Sequence, residues 1–285
     1  MNTMFGDRVV FVVGAPRSGS TWLQRLVASH PDVRTGQESN LLHYIAPALR
    51  KWKRELVFED GRGGIGMPCY LDQAGFDDVL HEYVRRLMAP MIDGLGPKQL
   101  FLEKTPSHAF FVREIAELLP GSRVIHILRD GREVAASLLA AGRSWGHAWA
   151  PKKARGAARM WSRHVNAVLD AAPAVDSNRF LEVRYERLTA DTVAEVQRII
   201  AFLQLTWRED DIRAAIDRNS PARIAHGEAT PIPIGGAFGS RTGSAVREPE
   251  GFVRSRGEAR TLSPLDRVQI RIFAGRTLKR AGYLG

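Results

Sequence analysis

Residues 14–21, GAPRSGST, carry the glycine spacing of a phosphate-binding loop, GxxxxGK[ST], with Ser20 where the lysine would stand and the cation displaced to Arg17. The backbone N–H groups of such a loop, together with the positive end of the helix behind it, bind a phosphate without any side chain. The lysine that serves a nucleotide's terminal phosphates is missing. The best candidate for an acidic, magnesium-holding strand end, VIHILRD, puts Arg129 before Asp130. These residue types favour a metal-free transfer in which a side-chain cation neutralises the phosphate charge.

A strand must precede the loop and a helix must follow it before the match has structural meaning. Val9–Val13 is a continuous apolar, β-branched run, the pattern of a strand buried on both faces. Residues 21–29 place Trp22, Leu23, Leu26 and Val27 at helical spacing. Further strands are expected at 100–103, 124–128 and 180–183, with helices over 109–119, 133–141 and 191–205. A last helix starts from Ser263 as N-cap with Pro264 in its first turn and ends before Gly282. Alternating strands and helices predict an α/β fold with a mainly parallel central sheet flanked by helices. Residues 45–98 and 220–260 show no clear periodicity and are expected to be lid or acceptor-binding segments of a single domain spanning 1–285.

The net charge of +10 draws anions to the surface, with a nucleotide, an acidic acceptor and nucleic acid as the candidate partners. The arginines are scattered along the chain without a basic stripe interleaved with aromatics, which argues against nucleic acid. The one cysteine, Cys69, excludes an internal disulfide and a CxxC pair. Histidines lack HExxH spacing, so no metal site is expected. No apolar run reaches membrane-spanning length and Asp7-Arg8 interrupts the N-terminus, so the expectation is a cytoplasmic chain without integral membrane association.

Several motifs, in order, resemble the sulfotransferases that use 3'-phosphoadenosine 5'-phosphosulfate (PAPS) and release adenosine 3',5'-bisphosphate (PAP). PRSGSTWL is similar to the family's 5'-phosphosulfate loop. The resemblance implies that Arg17 contacts the phosphosulfate bridge, that Ser18, Gly19, Ser20 and Thr21 cradle the 5'-phosphate, and that Trp22 lies near the adenine. RDGREVAAS is similar to the 3'-phosphate motif and implies that role for Arg129 and Ser137. VRYERL resembles the adenine-contacting segment and implies it for Tyr185; VRSRGEA offers Arg256 and Gly257 over the 3'-phosphate, with Arg254 competing for the arginine role. The same resemblance implies a P-loop NTPase-like, three-layer fold.

The proton acceptor is implied by a further match. HPDVRTGQES resembles the tyrosylprotein sulfotransferase segment and sets Glu38 as the general base, with His108 of EKTPSH ranked second and read as an exposed residue at a helix start. EKTP resembles the segment whose lysine reaches the sulfuryl oxygens, which implies that role for Lys104. Gln37, where the tyrosylprotein motif is acidic, points away from peptide tyrosine toward a small-molecule, lipid or carbohydrate acceptor, taken at a hydroxyl or amine. Trp145 and Trp149 are read as either acceptor-lining residues or helix packing at i, i+4. Two other readings stay open, a P-loop kinase using ATP-magnesium and a non-catalytic nucleotide-binding protein.

Overall fold

Val9 opens a strand, β1 (Val9–Gly14), in which all six residues are buried. In the computed structural model, which describes residues 6–57, 66–226, 228–229 and 262–284, four further strands complete a five-stranded sheet: β2 (Val33–Thr35), β3 (Leu100–Lys104), β4 (Arg123–Leu128) and β5 (Phe180–Arg184). All pairings are parallel and the order is β2-β3-β1-β4-β5. The chain leaves β1 for one side of the sheet and later returns to the other, so the carboxyl end of β1 lies at the topological switch point, where open α/β sheets bind ligands.

The helices are α1 (Ser20–Val27), α2 (Leu41–Val57), α3 (Gln73–Ile92), α4 (Val112–Leu118), α5 (Gly131–Gly142), α6 (Ala154–Ala171), α7 (Tyr185–Ala190), α8 (Thr192–Phe202), α9 (Glu209–Arg218), α10 (Pro221–Ala225) and α11 (Pro264–Arg280). Successive strand residues point to opposite faces. Val9, Phe11 and Val13 pack with Leu42, Ile45 and Leu49 of α2, Val84 and Met88 of α3 and Ile115 of α4. Val10 and Val12 pack with Leu23 and Leu26 of α1 and Val196 and Ile199 of α8. Three layers result, in the predicted P-loop NTPase-like arrangement. A further cluster ties α5, α6 and α11 together through Leu138, Trp161, Ile270 and Leu278.

Four expectations need correction. The described parts of residues 45–98 hold two long helices, α2 and α3, where an irregular segment was expected. Pro47 and Pro90 sit inside them and hide a pattern that burial makes plain, Leu80, Val84, Met88 and Ile92 every fourth residue. α6 (Ala154–Ala171) is a helix that none of the sequence expectations includes. Residues 109–119 are split between a 3-10 segment, Pro106–Phe111, and α4. Trp145 and Trp149 lie in successive turns between α5 and α6, so helical packing at i, i+4 does not apply. The final helix is as predicted: Ser263 Oγ accepts from the Asp266 N–H at 3.1 Å, Pro264 opens it, and Gly282 follows at φ 74°.

His126 in β4 is fully buried, and burial, followed by the Arg184 charge, lowers its pKa from 6.5 to about 3. The folded chain therefore keeps His126 neutral where the unfolded chain binds a proton. Its contribution is complete above pH 6.5 and is lost as pH falls toward 3, by ~1.4 kcal/mol per pH unit at most. Urea unfolding of wild type and His126→Leu between pH 7 and 4.5 reads this directly. The expected result is a shallower pH slope in the variant, and equal slopes would remove His126 as a source of acid sensitivity.

Candidate active site

The loop after β1 takes its shape from two close approaches. A Cβ on Gly14, φ 156°, would meet the Ile127 carbonyl oxygen of β4 at 2.5 Å. One on Gly19, φ 96°, would meet the Tyr185 ring at 2.5 Å. Between them Arg17 adopts φ 72°, a left-handed conformation that costs a non-glycine residue ~1–3 kcal/mol and collects at functional sites. Gly19 is the N-cap of α1, supplies no side-chain cap, and is followed by no acidic residue in the first turn. By contrast, Asp130 caps α5 through its carboxylate and Asp191 caps α8. The first-turn amides of α1 thus face the loop without a side-chain oxygen, and the buried Ser18 Oγ has no hydrogen-bond partner. Both features fit a phosphate group seated in the loop. Ser20 is buried and Thr21 half-buried in the same first turn.

Across the switch point, Arg17 Nε donates to Ser137 Oγ of α5 at 3.1 Å and its guanidinium lies 5.1 Å from the Trp145 ring centroid. Arg129, just after β4, donates from Nη1 to the Arg17 carbonyl at 3.4 Å and stacks 4.2 Å from the Tyr185 ring centroid. Trp22 meets Tyr185 edge-on with centroids 6.0 Å apart and donates from Nε1 to the Asn219 carbonyl at 3.0 Å. Trp161 of α6 donates to the Arg129 carbonyl at 3.0 Å and so fixes the backbone that carries this arginine. The Trp149 ring lies 5.6 Å from that of Trp145.

The third group sits beyond the ends of β2 and β3. Lys104 Nζ donates to Glu38 Oε1 at 2.5 Å; the lysine side chain is 6% exposed and the glutamate 46%. Gln24 of α1 holds the β2 end of this segment. It is completely buried and donates from Nε2 to Thr35 Oγ1 and to the Gly36 carbonyl, both at 2.8 Å. Glu103, also buried, holds the other end. Its Oε1 accepts from Ser39 Oγ and Thr105 Oγ1 at 2.7 Å and from the Ser39 N–H at 3.2 Å. Burial pushes the Glu103 pKa up, but His108 and the hydrogen bonds from Thr105 and Ser39 outweigh it and hold the carboxyl below its ordinary value.

His108 is fully buried rather than exposed. Its Nε2 accepts the Leu42 N–H at 3.2 Å and its Nδ1 faces Glu103 Oε2 at 2.9 Å. Both nitrogens are therefore turned to the protein, and the histidine anchors the start of α2 to Glu103. Neither Gln24 nor Glu103 was singled out from the sequence. A signal existed in each case, a polar residue within an otherwise buried helix face and a carboxylate within an apolar strand, since a buried charge has to be paired.

Tyr283, past α11, reaches the same rim. It donates to Glu186 Oε2 at 2.9 Å, while Glu186 Oε1 accepts the Asp130 N–H at 2.9 Å. Burial, then the Glu186 charge, raises the Tyr283 pKa and keeps the phenol protonated as a donor. Arg256, Gly257 and Arg254 lie outside the described residues. Among the described residues no group of three or more His, Cys, Asp or Glu side chains is arranged to hold a metal.

Residues 9–209 match the sequence profile described as the Sulfotransferase family. A Caenorhabditis briggsae protein named putative protein-tyrosine sulfotransferase is 28% identical over 211 residues, covering 71% of this chain and 68% of that protein. Other curated relatives, such as Caenorhabditis elegans protein-tyrosine sulfotransferase A, are matched over about half of their length. The sulfotransferase domain of the Synechococcus olefin synthase superposes with a TM-score of 0.54 at 19% identity, covering 94% of each chain. A mouse sulfotransferase complexed with PAP gives 0.57 at 14% identity over 96% of this chain and 85% of its own.

Proposed function

This chain belongs to the sulfotransferase family, and from that premise we propose that it moves the sulfuryl group of PAPS to an acceptor hydroxyl or amine and releases PAP. One observation carries the reading: motifs 120 residues apart meet where Arg17 of the phosphate loop donates to Ser137 of the 3'-phosphate motif. A loop matched by chance would have no reason to engage the second motif.

Arg17, Ser18, Gly19, Ser20 and Thr21 hold the donor's 5'-phosphate side, with the uncapped amides of α1 directed at its charge. Arg129 and Ser137 hold the 3'-phosphate, and Trp22 and Tyr185 flank the adenine; Arg256 and Gly257 are assigned to the 3'-phosphate on the motif alone. When bound, the donor supplies the sulfuryl group, whose S–O bond to the 5'-phosphate breaks as the acceptor's O–S or N–S bond forms. Glu38 takes the acceptor's proton. Arg17 and Lys104 neutralise the charge that builds on the leaving phosphate and the sulfuryl oxygens. Gln24 and Glu103 keep Glu38 and Lys104 in register by fixing the chain on either side.

The acceptor approaches past Trp145 and Trp149 into one domain; of the two segments assigned to acceptor binding, residues 58–65 and most of 220–260 lie outside the described residues. No helix among the described residues is long and apolar enough to cross a membrane. A kinase and a simple nucleotide binder both predict a different ligand response. Thermal unfolding with PAP at ~100 times its dissociation constant is expected to show about 2.7 kcal/mol of stabilisation, with ATP-magnesium well below it. Equal or greater stabilisation by ATP-magnesium at the same concentration would overturn the donor assignment.

A further inference from the structure

On the side of α6 away from Trp161, Arg159, Arg163 and Asp170 line one stripe of the helix, facing a groove of about 600 Å³ that Phe110 and Phe273 also line. The Arg159 guanidinium lies 4.6 Å from the Phe273 ring centroid, and that of Arg163 lies 5.8 Å from Phe110. Stacking holds both side chains along the rings and leaves their N–H edges for a ligand.

The charges around them do not balance. Among the described residues neither arginine has a carboxylate within ion-pair reach. Arg50 makes the comparison clear, since it stacks on Phe111 and also pairs with Glu114 at 2.5 Å. The one carboxylate of the groove, Asp170, is already neutralised by Arg280 at 2.6 Å. Ser162 lines the same groove, is only 8% exposed, and its Oγ has no hydrogen-bond partner. An unpaired buried hydroxyl is costly, and a ligand acceptor would recover part of that cost.

We propose that this groove is a second anion site, independent of the phosphate loop. It takes a tetrahedral oxyanion, either free sulfate or phosphate or the same group on a monoester, between Arg159 and Arg163 with Ser162 Oγ donating to one oxygen. Two guanidinium edges and a hydroxyl match several oxygens on one centre, which a carboxylate cannot offer. The aromatic rings give a monoester's organic part an apolar surface.

The test is calorimetric titration of PAP-saturated protein with potassium phosphate, potassium sulfate or phenyl phosphate, at ionic strength held constant with chloride. One anion per chain is expected to bind with each inorganic probe, and tighter binding of phenyl phosphate would identify a monoester as the preferred form. Arg159→Gln/Arg163→Gln should weaken binding at least tenfold and Ser162→Val severalfold, with PAP affinity unchanged. Both arginines are exposed, so the double variant is expected to fold, and its unfolding temperature checks this. If PAP itself fails to bind, the donor reading falls, and the groove is still read as a difference of one phosphate between wild type and the double variant. Equal anion binding by wild type and the double variant overturns the site, as does no binding at millimolar phosphate or sulfate.

Discussion

Glu38→Gln is expected to lower turnover by roughly 100- to 10,000-fold, the range for loss of a general base, while PAP still binds as it does in wild type. The amide keeps the shape of the carboxylate and its contact with Lys104 but cannot accept the acceptor's proton. The geometry argues for Glu38 against His108 as the base. Glu38 is nearly half exposed at the ends of the strands, whereas His108 is sealed in the core with both ring nitrogens facing protein partners. His108→Gln should accordingly lower stability, through the start of α2 and the Glu103 network, more than it lowers the turnover of the molecules that remain folded. A Glu38→Gln enzyme with most of its turnover would end the case for this base.

Lys104→Met has the second-largest expected effect, a fall in kcat of roughly 100- to 1,000-fold, as for removal of one preorganised donor at a site of developing charge. Methionine nearly preserves the length and volume of the lysine stem, which is buried at the end of β3, so the fold should tolerate it. Because Lys104 and Glu38 are in contact, their losses should not multiply. The double variant Glu38→Gln/Lys104→Met is expected to be little slower than the worse single variant. Single-turnover rates with saturating donor separate this from weakened binding. If Lys104→Met changed donor affinity alone, the lysine would belong to binding rather than to transfer.

The parts of the fold that were legible are those whose physics is local. β1 is a continuous apolar run, and β4 is one apart from Arg123 and His126, because parallel strands are buried on both faces, and the phosphate loop shows in its glycines because Gly14 and Gly19 stand where a Cβ would collide with Ile127 or Tyr185. Ser263, Pro264 and Gly282 marked α11 because caps are satisfied within a few residues of chain. α2, α3 and α6 were not legible. Internal prolines interrupt the first two, and α6 carries charged residues on the faces that alanines and Trp161 leave to solvent. β2 has three residues, too few for any periodicity, and exists only because β3 offers it a partner.

Within the candidate site, Arg17, Glu38, Lys104, Arg129, Ser137 and Tyr185 could each be named from motif and order. What the residues by themselves determined was the chemistry on offer: a phosphate loop with a displaced cation, a carboxylate, a lysine and a second phosphate motif, in a chain of the sulfotransferase family. Only the tertiary structure decided which of them meet. It joined Arg17 to Ser137, set Lys104 against Glu38, withdrew His108 into the core, and recruited Gln24 and Glu103 as their supports. The physical reason is that sequence spacing sets side-chain direction within one strand or helix. The distance between elements follows from how the strands order around β1 and how buried polar groups find partners across that order.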